Sequence, residues 1–147
     1  MAKIFCISNQ KGGVGKTTTT VNLAAGLAKV GQRVLMVDLD PQGNATMGSG
    51  VDKRRLALSV YDVLLESASI EEARVHAEKC GYDVLGANRE LAGAEVELVD
   101  VDRREKRLKA ALAAVDSEYD FVLIDCPPAL SLLTLNGLCA AHGVIVP

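Results

Sequence analysis

Hydrophobic residues in this chain form short consecutive runs that alternate with longer amphipathic segments. Strands are predicted at 4–8, 33–38, 82–87, 121–125 and 143–146. Helices are predicted at 17–30, 60–65, 70–77, 90–99, 103–115 and 131–140. The runs 34–37 and 121–124 are apolar at successive positions, which is typical of strands buried on both faces of a parallel sheet. The alternation predicts an α/β fold of three layers, with a mostly parallel sheet between helices.

Three segments carry local signals of their own. Residues 41–50 are rich in Gly, Asn and Ser and predict a mobile loop after the second strand. Ser69, with Glu72 three residues later, predicts a capping box at a helix start. The apolar run 144–146 would be a bare strand at a sheet edge. We therefore expect the chain to be the N-terminal part of a longer protein, truncated after Pro147.

Composition restricts the class of protein. The chain has 147 residues, enough for one domain over 1–147 with a sizeable core, and 49% of them are apolar. A formal charge of −3 argues against a chain that binds nucleic acid through bulk positive charge. No apolar run approaches the roughly 20 residues that span a bilayer, and the first strand begins too early for a signal peptide. The four cysteines show no metal-binding spacing, and Cys6 and Cys139 are interpreted as small core residues in a reducing cytoplasm.

Residues 10–17, read QKGGVGKT, lie between the first strand and the first helix and predict a phosphate-binding loop. Glycines allow a tight turn that points successive N–H groups at one anion. The N-terminus of the following helix also favours a polyphosphate. Lys16 can reach the β- and γ-phosphates, and the Thr17 hydroxyl can bind Mg²⁺. The nucleotide-binding loop residues are therefore predicted to be Gly12, Gly13, Val14, Gly15, Lys16 and Thr17.

This loop departs from the common Walker pattern. Gln10 stands where the first glycine would be, and Lys11 adds a second lysine.

Two acids follow the second strand. Asp38 and Asp40 are two positions apart, so they share one side of an extended chain, and Pro41 ends the strand ladder. The carboxyl ends of parallel strands face the same crevice as the phosphate loop. One acid could hold the hydration shell of Mg²⁺ and the other could orient the attacking water.

A third acid repeats this design. Asp125 follows the apolar run 121–124 in the form of a Walker B motif. It could accept a hydrogen bond from Thr17 or from a water bound to Mg²⁺. Alternatively, it could help to hold the turn at 127–128, where two prolines fix the exit of the strand.

Other polar clusters are assigned no chemistry. The basic residues at 53–55, and those at 103–109 on a predicted helix with an apolar stripe, are interpreted as solvated faces rather than nucleic-acid patches. His76 and His142 have no obvious partner in the sequence and are interpreted as structural or exposed.

Three motifs together resemble one protein family: KGGVGKT at 11–17, VDLDPQGNAT at 37–46 and FVLIDCPP at 121–128. They resemble the ParA/Soj partition ATPases of bacterial chromosomes and plasmids, in the deviant-Walker group that includes MinD and the nitrogenase iron protein. The resemblance runs from Lys3 to Pro147 and includes ELAGAEVEL at 90–98. It implies a P-loop NTPase fold, ATP and Mg²⁺ as cofactors, ATP hydrolysis, and a cytoplasmic, nucleoid-associated protein.

The resemblance also implies roles for the loop residues. Lys11 would be the signature lysine that crosses a dimer interface to the ATP of the partner subunit. Lys16 would bind phosphate in its own subunit, Thr17 would bind Mg²⁺, and Thr18 would contact the α-phosphate.

The acids and the partners follow from the same resemblance. Asp40 would position the hydrolytic water, and Asp38 and Asp125 would lie around the metal. The protein would form an ATP-dependent homodimer, which a ParB-type centromere-binding protein stimulates to hydrolyse ATP. It would bind DNA without sequence preference through residues beyond Pro147, and no membrane contact is expected.

Three alternatives belong to other classes. A MinD-like membrane ATPase would carry a C-terminal amphipathic helix, which this chain could not display. An iron–sulfur carrier needs bridging cysteines in glycine-rich loops, and Cys126 is followed by proline instead. The third alternative is a truncated fragment that binds nucleotide, or nothing, without turnover.

Overall fold

The computed structural model describes residues 1–8 and 14–147, which form a six-stranded sheet with helices on both faces. The strands are β1 (Lys3–Ile7), β2 (Val34–Asp38), β3 (Val75–Ala77), β4 (Tyr82–Leu85), β5 (Phe121–Asp125) and β6 (Gly143–Ile145). The α-helices are α1 (Val14–Lys29), α2 (Asn44–Gly48), α3 (Val60–Leu64), α4 (Ile70–Ala73), α5 (Ala94–Glu97), α6 (Arg107–Ala113) and α7 (Leu132–Ala140). Short 3₁₀ turns cover Lys53–Arg55, Arg89–Gly93, Arg104–Lys106 and Asp116–Glu118.

The strand order is β3-β4-β2-β5-β1-β6, and every neighbouring pair is parallel except β3 with β4. This confirms the predicted, mostly parallel α/β sheet. The carboxyl ends of β1, β2 and β5 therefore meet at one edge, because Ile7 and Asp38 both pair with Asp125.

Alternation along the central strands divides the core into two layers. Leu35 and Val37 pack with α3 to α7 on one face, whereas Val34 and Met36 pack with α1 on the other. A strand buried on both faces needs apolar residues at successive positions. The continuous apolar runs therefore predicted the three layers correctly.

The predicted mobile loop at 41–50 was wrong, because the structure forms helix α2 there. Gly43 adopts the left-handed conformation (φ 67°) and lets the chain turn sharply after Asp40. Ala45 and Thr46 are buried on the inner side of the helix, and burial of these residues stabilises a segment whose composition suggested a loop.

The predicted helix 70–77 was too long. Helix α4 begins at the predicted capping box, where Ser69 and Glu72 exchange both hydrogen bonds. It ends after one turn because Arg74 is extended, and Val75–Ala77 pairs with β4 as an edge strand. Gly81, with φ 81°, completes the tight connection between the two strands.

Two other predicted helices begin with a 3₁₀ turn. Residues 90–99 form a turn at Arg89–Gly93 before α5, and residues 103–115 form one at Arg104–Lys106 before α6. In the first turn of α6, Leu108 N–H donates a hydrogen bond to the Asn136 side chain, which satisfies one of the N–H groups that has no partner within the helix.

Strand β6 lies at the sheet edge beside β1, as predicted, and Val144 on it is half exposed. Within the described part of the chain, we find no helix with the length and apolar character needed to cross a membrane.

Candidate nucleotide-binding site

Lys16 and Asp125 form a buried ion pair between the first turn of α1 and the end of β5. Lys16 Nζ lies 2.8 Å from Asp125 Oδ1, and the two side chains are 4% and 0% exposed. Helix α1 brings the lysine over the sheet edge, and the end of β5 brings the carboxylate to the same point. The residue predicted to bind phosphate and a residue predicted to lie near the metal are thus partners of each other here.

Two hydroxyl groups of α1 complete the surroundings of Asp125. Thr17 Oγ1 donates to Asp125 Oδ2 at 3.4 Å, which is one of the two hydrogen bonds that the sequence suggested for Asp125. Thr20 Oγ1 lies 3.0 Å from Asp125 Oδ1 and from the carbonyl oxygen of Lys16. Thr20 was missed by the sequence analysis, although its position four residues after Lys16 places both side chains on one helix face.

Burial raises the pKa of Asp125, and the Asp40 carboxylate raises it further, while Lys16 and Thr20 act in the opposite direction. The carboxylate is thus an acceptor for three side chains in a water-poor environment. A buried charge of this kind is tolerated when it is paired and hydrogen-bonded.

Asp38 is fully buried at the end of β2, directly opposite Asp125 in register. Its Oδ1 accepts a hydrogen bond from Asp40 N–H at 3.0 Å, and its Oδ2 accepts from Thr46 N–H at 2.9 Å and Thr46 Oγ1 at 2.7 Å. Burial, followed by the nearby Asp125 charge, raises the pKa of Asp38 to about 7. Both oxygens hold the loop that carries Asp40.

Asp40 lies just beyond β2 and is 9% exposed. Its Oδ1 accepts from Gln42 N–H at 3.0 Å, an Asx-type turn within the segment between β2 and α2. Lys53 Nζ donates to the Gln42 carbonyl oxygen and supports the same turn. The structure therefore brings Asp38, Asp40 and Asp125 to one edge of the sheet, as the sequence predicted.

Only part of the predicted phosphate loop lies within the described residues. Lys11, Gly12 and Gly13 lie outside the described residues, and Val14 is described only as the first residue of α1. Gly15 and Thr18 are exposed in the first turns of that helix.

The chemistry of this edge fits a nucleotide with a divalent cation. Lys16 supplies a cation, the start of α1 supplies backbone N–H groups, and Thr17 with Asp125 supplies the hard oxygen donors that Mg²⁺ prefers. Mg²⁺ bound here would neutralise phosphate charge. The donor set is that of a phosphate-binding site at the carboxyl ends of parallel strands.

A model of the family described as "AAA domain" matches residues 2–147 of the chain. The chain belongs to the AAA domain family.

Relatives of this AAA domain include the chromosome partitioning protein ParA of Myxococcus xanthus, which is 51% identical over 147 residues, covering 100% of this chain and 52% of that protein. An uncharacterized protein of Pseudomonas putida is 58% identical over 147 residues, covering 100% of this chain and 56% of that protein. The sporulation initiation inhibitor protein Soj of Bacillus subtilis is 53% identical, covering 100% of this chain and 58% of Soj. The chain thus spans little more than half the length of these relatives. The match to Soj confirms the resemblance to the ParA/Soj group.

A solved structure also matches the AAA domain along its whole length. The crystal structure of cobyrinic acid a,c-diamide synthase from Mycobacterium smegmatis, with bound ADP and magnesium, has a TM-score of 0.97 and 50% identity. The match covers 100% of this chain and 60% of that one.

Both histidines of the AAA domain have partners that the sequence analysis did not find. His76 Nδ1 lies 2.8 Å from Asp83 Oδ1 across the β3–β4 pair. His142 Nδ1 accepts a hydrogen bond from Ile4 N–H at 3.1 Å. Their interpretation as structural or exposed residues holds, and the structure supplies partners that were not obvious in the sequence.

The basic clusters and cysteines largely follow their interpretation. Most basic residues at 103–109 are exposed, but Arg107 is mostly buried and forms an ion pair with Glu66. Cys6 is buried as predicted, whereas Cys139 is partly buried, and all four cysteines are free.

The nucleotide-free AAA domain should lose stability between about pH 4 and pH 7. The unfolded chain releases the Asp38 proton near its ordinary pKa of 3.8, whereas the folded state keeps it until about 7. This stabilisation is fully present below pH 3.8 and is lost as the pH rises towards 7, at up to about 1.4 kcal/mol per unit. Denaturant unfolding at a series of pH values should give a steeper decline for the wild type than for Asp38→Asn. Equal slopes would contradict the assignment.

Proposed function

We propose that this chain is the nucleotide-binding portion of an ATP-hydrolysing dimerisation switch that segregates bacterial chromosome or plasmid DNA. The observation that carries the proposal is the convergence of Lys16, Thr17 and Asp125 beside Asp40, in a chain 53% identical to Soj. Polyphosphate binding explains why a lysine and acids are collected at the helix N-terminus.

The proposed cofactors are ATP and Mg²⁺. Lys16 binds the β- and γ-phosphates, while Thr17 and Asp125 hold Mg²⁺ directly or through water. In the nucleotide-free site, the charges of Lys16 and Asp125 neutralise each other. When ATP takes Lys16 as a partner, Asp125 is available to the metal, so that phosphate and cation binding support each other.

The hydrolytic step is assigned to Asp40, which orients a water towards the γ-phosphate, with Asp38 holding its loop. Lys11 extends towards the nucleotide of a second subunit, so dimerisation depends on ATP, and Gly12, Gly13 and Thr18 contact phosphates. A ParB-type partner stimulates hydrolysis. The dimer binds nucleoid DNA through residues outside this chain.

A second candidate function follows from the similarity to the cobyrinic acid a,c-diamide synthase of Mycobacterium smegmatis. The same nucleotide site would then activate a carboxylate of a corrin-type substrate for amide formation. ATP turnover by the full-length protein that requires such an acid and an amide-nitrogen donor, and that DNA leaves unchanged, would favour this candidate over partition.

The decisive experiment measures duplex DNA binding by the full-length natural protein with ATP–Mg²⁺, with ADP–Mg²⁺ and without nucleotide, over a salt series. We expect binding that requires ATP and weakens steeply with salt, because phosphate contacts release counterions. A folded, ATP-bound protein that binds no DNA would overturn the partition proposal. Liposome binding would then test the MinD-like alternative.

A further inference from the structure

Thr46 has a buried hydroxyl that connects three segments near the site. Its Oγ1 donates to Asp38 Oδ2 at 2.7 Å and accepts from Ala87 N–H at 3.0 Å, and the side chain is fully buried. A hydroxyl carries one hydrogen, so the donor goes to Asp38 and a lone pair serves Ala87.

These bonds close the loop that carries Asp40. Asp38 Oδ1 binds the N–H of Asp40, near the loop's start, and Oδ2 binds Thr46, at its end. Both ends of the loop are thus anchored on one carboxylate.

The bond to Ala87 ties the same loop to the exit of β4, a neighbour of β2 in the sheet. This connection lies beyond the last paired residues of the two strands, Val37 and Leu85, where the backbone ladder no longer holds them together.

The packing leaves little room for another arrangement. A Cβ at Gly43 would lie 2.7 Å from the Ala87 carbonyl oxygen, and one at Gly86 would lie 3.1 Å from Thr46 Cγ2. The Asp40 loop and the end of β4 therefore pack too closely to admit a side chain at Gly43 or Gly86.

We propose that Thr46 is a positioning residue whose hydroxyl fixes Asp38 and the Asp40 loop against the end of β4, so that Asp40 faces the bound nucleotide in one orientation. The inference rests on the proposed ATPase function. It adds a residue that contacts neither nucleotide nor metal but sets the rate of hydrolysis.

The test compares Thr46→Val, which keeps the shape and removes the hydroxyl, with Thr46→Ser, which keeps the hydroxyl. In the full-length natural protein, Thr46→Val should lower kcat for ATP by about 10- to 100-fold, the usual effect of losing a group that supports a site residue. KM and the affinity for a fluorescent ATP analogue should change less than about threefold. Thr46→Ser should restore most of the rate.

Ser49→Ala is the matched control. Ser49 Oγ is also buried in this region, and it bonds to the Ala45 carbonyl oxygen and Tyr82 Oη without touching the acids of the site. We expect it to lower thermal stability but to leave kcat unchanged.

Three results would overturn the inference: a wild-type kcat in folded Thr46→Val, a similar loss in Thr46→Ser, or a similar loss in Ser49→Ala. Absence of turnover in the wild-type protein would instead refute the ATPase proposal itself, and the positioning role with it.

Discussion

Lys16→Ala should abolish nucleotide binding by the full-length natural protein. Charge-assisted hydrogen bonds contribute about 1.5–3 kcal/mol each, and a lysine that serves two phosphates contributes about twice that. The expected rise in the dissociation constant for ATP is therefore about 10²- to 10⁴-fold. Calorimetric titration with a non-hydrolysable ATP analogue and Mg²⁺ measures it directly.

The ion pair with Asp125 requires a particular set of controls. Removal of Lys16 leaves a fully buried carboxylate without its cation, which costs about 3–5 kcal/mol of stability when a buried pair is broken. The double variant Lys16→Ala/Asp125→Asn removes both charges and should recover much of that stability, yet still fail to bind ATP. Lys29→Ala changes an exposed lysine of the same helix and should bind normally. Near-normal affinity in folded Lys16→Ala would refute the phosphate-loop assignment.

The layers and the location of the site could be predicted because both depend on local patterns. The apolar run 121–124 followed by Asp125 predicts a strand that is buried on both faces and that has an acid at its carboxyl end. Parallel pairing then brings Asp38 and Asp125 together without further information.

Helix α2 could not be predicted because its stability comes from distant contacts. Residues 41–50 have the composition of a loop, but Thr46 bonds to Ala87 and Ser49 bonds to Tyr82. These partners lie 41 and 33 positions further along the chain. Tertiary contacts therefore overrode local propensity. The contacts of Thr46 also anchor the Asp40 segment to the site.

The Lys16–Asp125 pair was missed for a different reason. Sequence motifs describe what each residue does with a ligand, so Lys16 was assigned to phosphate and Asp125 to the metal. Buried charges are stable only when they are paired, so Lys16 and Asp125 bind each other in the absence of a ligand. Thr20 became apparent only with this pair, since its hydroxyl bonds to the Asp125 carboxylate.

Substitution of Asp40 should separate ATP binding from ATP hydrolysis. If Asp40 orients the attacking water, its loss removes a contribution that is typically about 10²- to 10⁴-fold in rate. Lys16, Thr17 and Asp125 remain in place, so ATP and Mg²⁺ should bind with unchanged affinity. The ATP-bound dimer should then accumulate, because the step that releases it no longer occurs.

Two variants distinguish chemistry from loop structure. Asp40→Asn removes the charge but keeps an oxygen that can accept from Gln42 N–H, whereas Asp40→Ala removes both. Single-turnover ATP cleavage should fall to a similar extent in both, while sedimentation velocity with ATP should show a persistent dimer. Asp52→Asn removes a partly exposed charge outside the site, keeps an oxygen to cap Arg54 N–H, and should leave turnover unchanged. Normal cleavage by Asp40→Asn would assign the water-positioning role to another group, whereas loss in Asp40→Ala alone would mean that Asp40 acts through its loop.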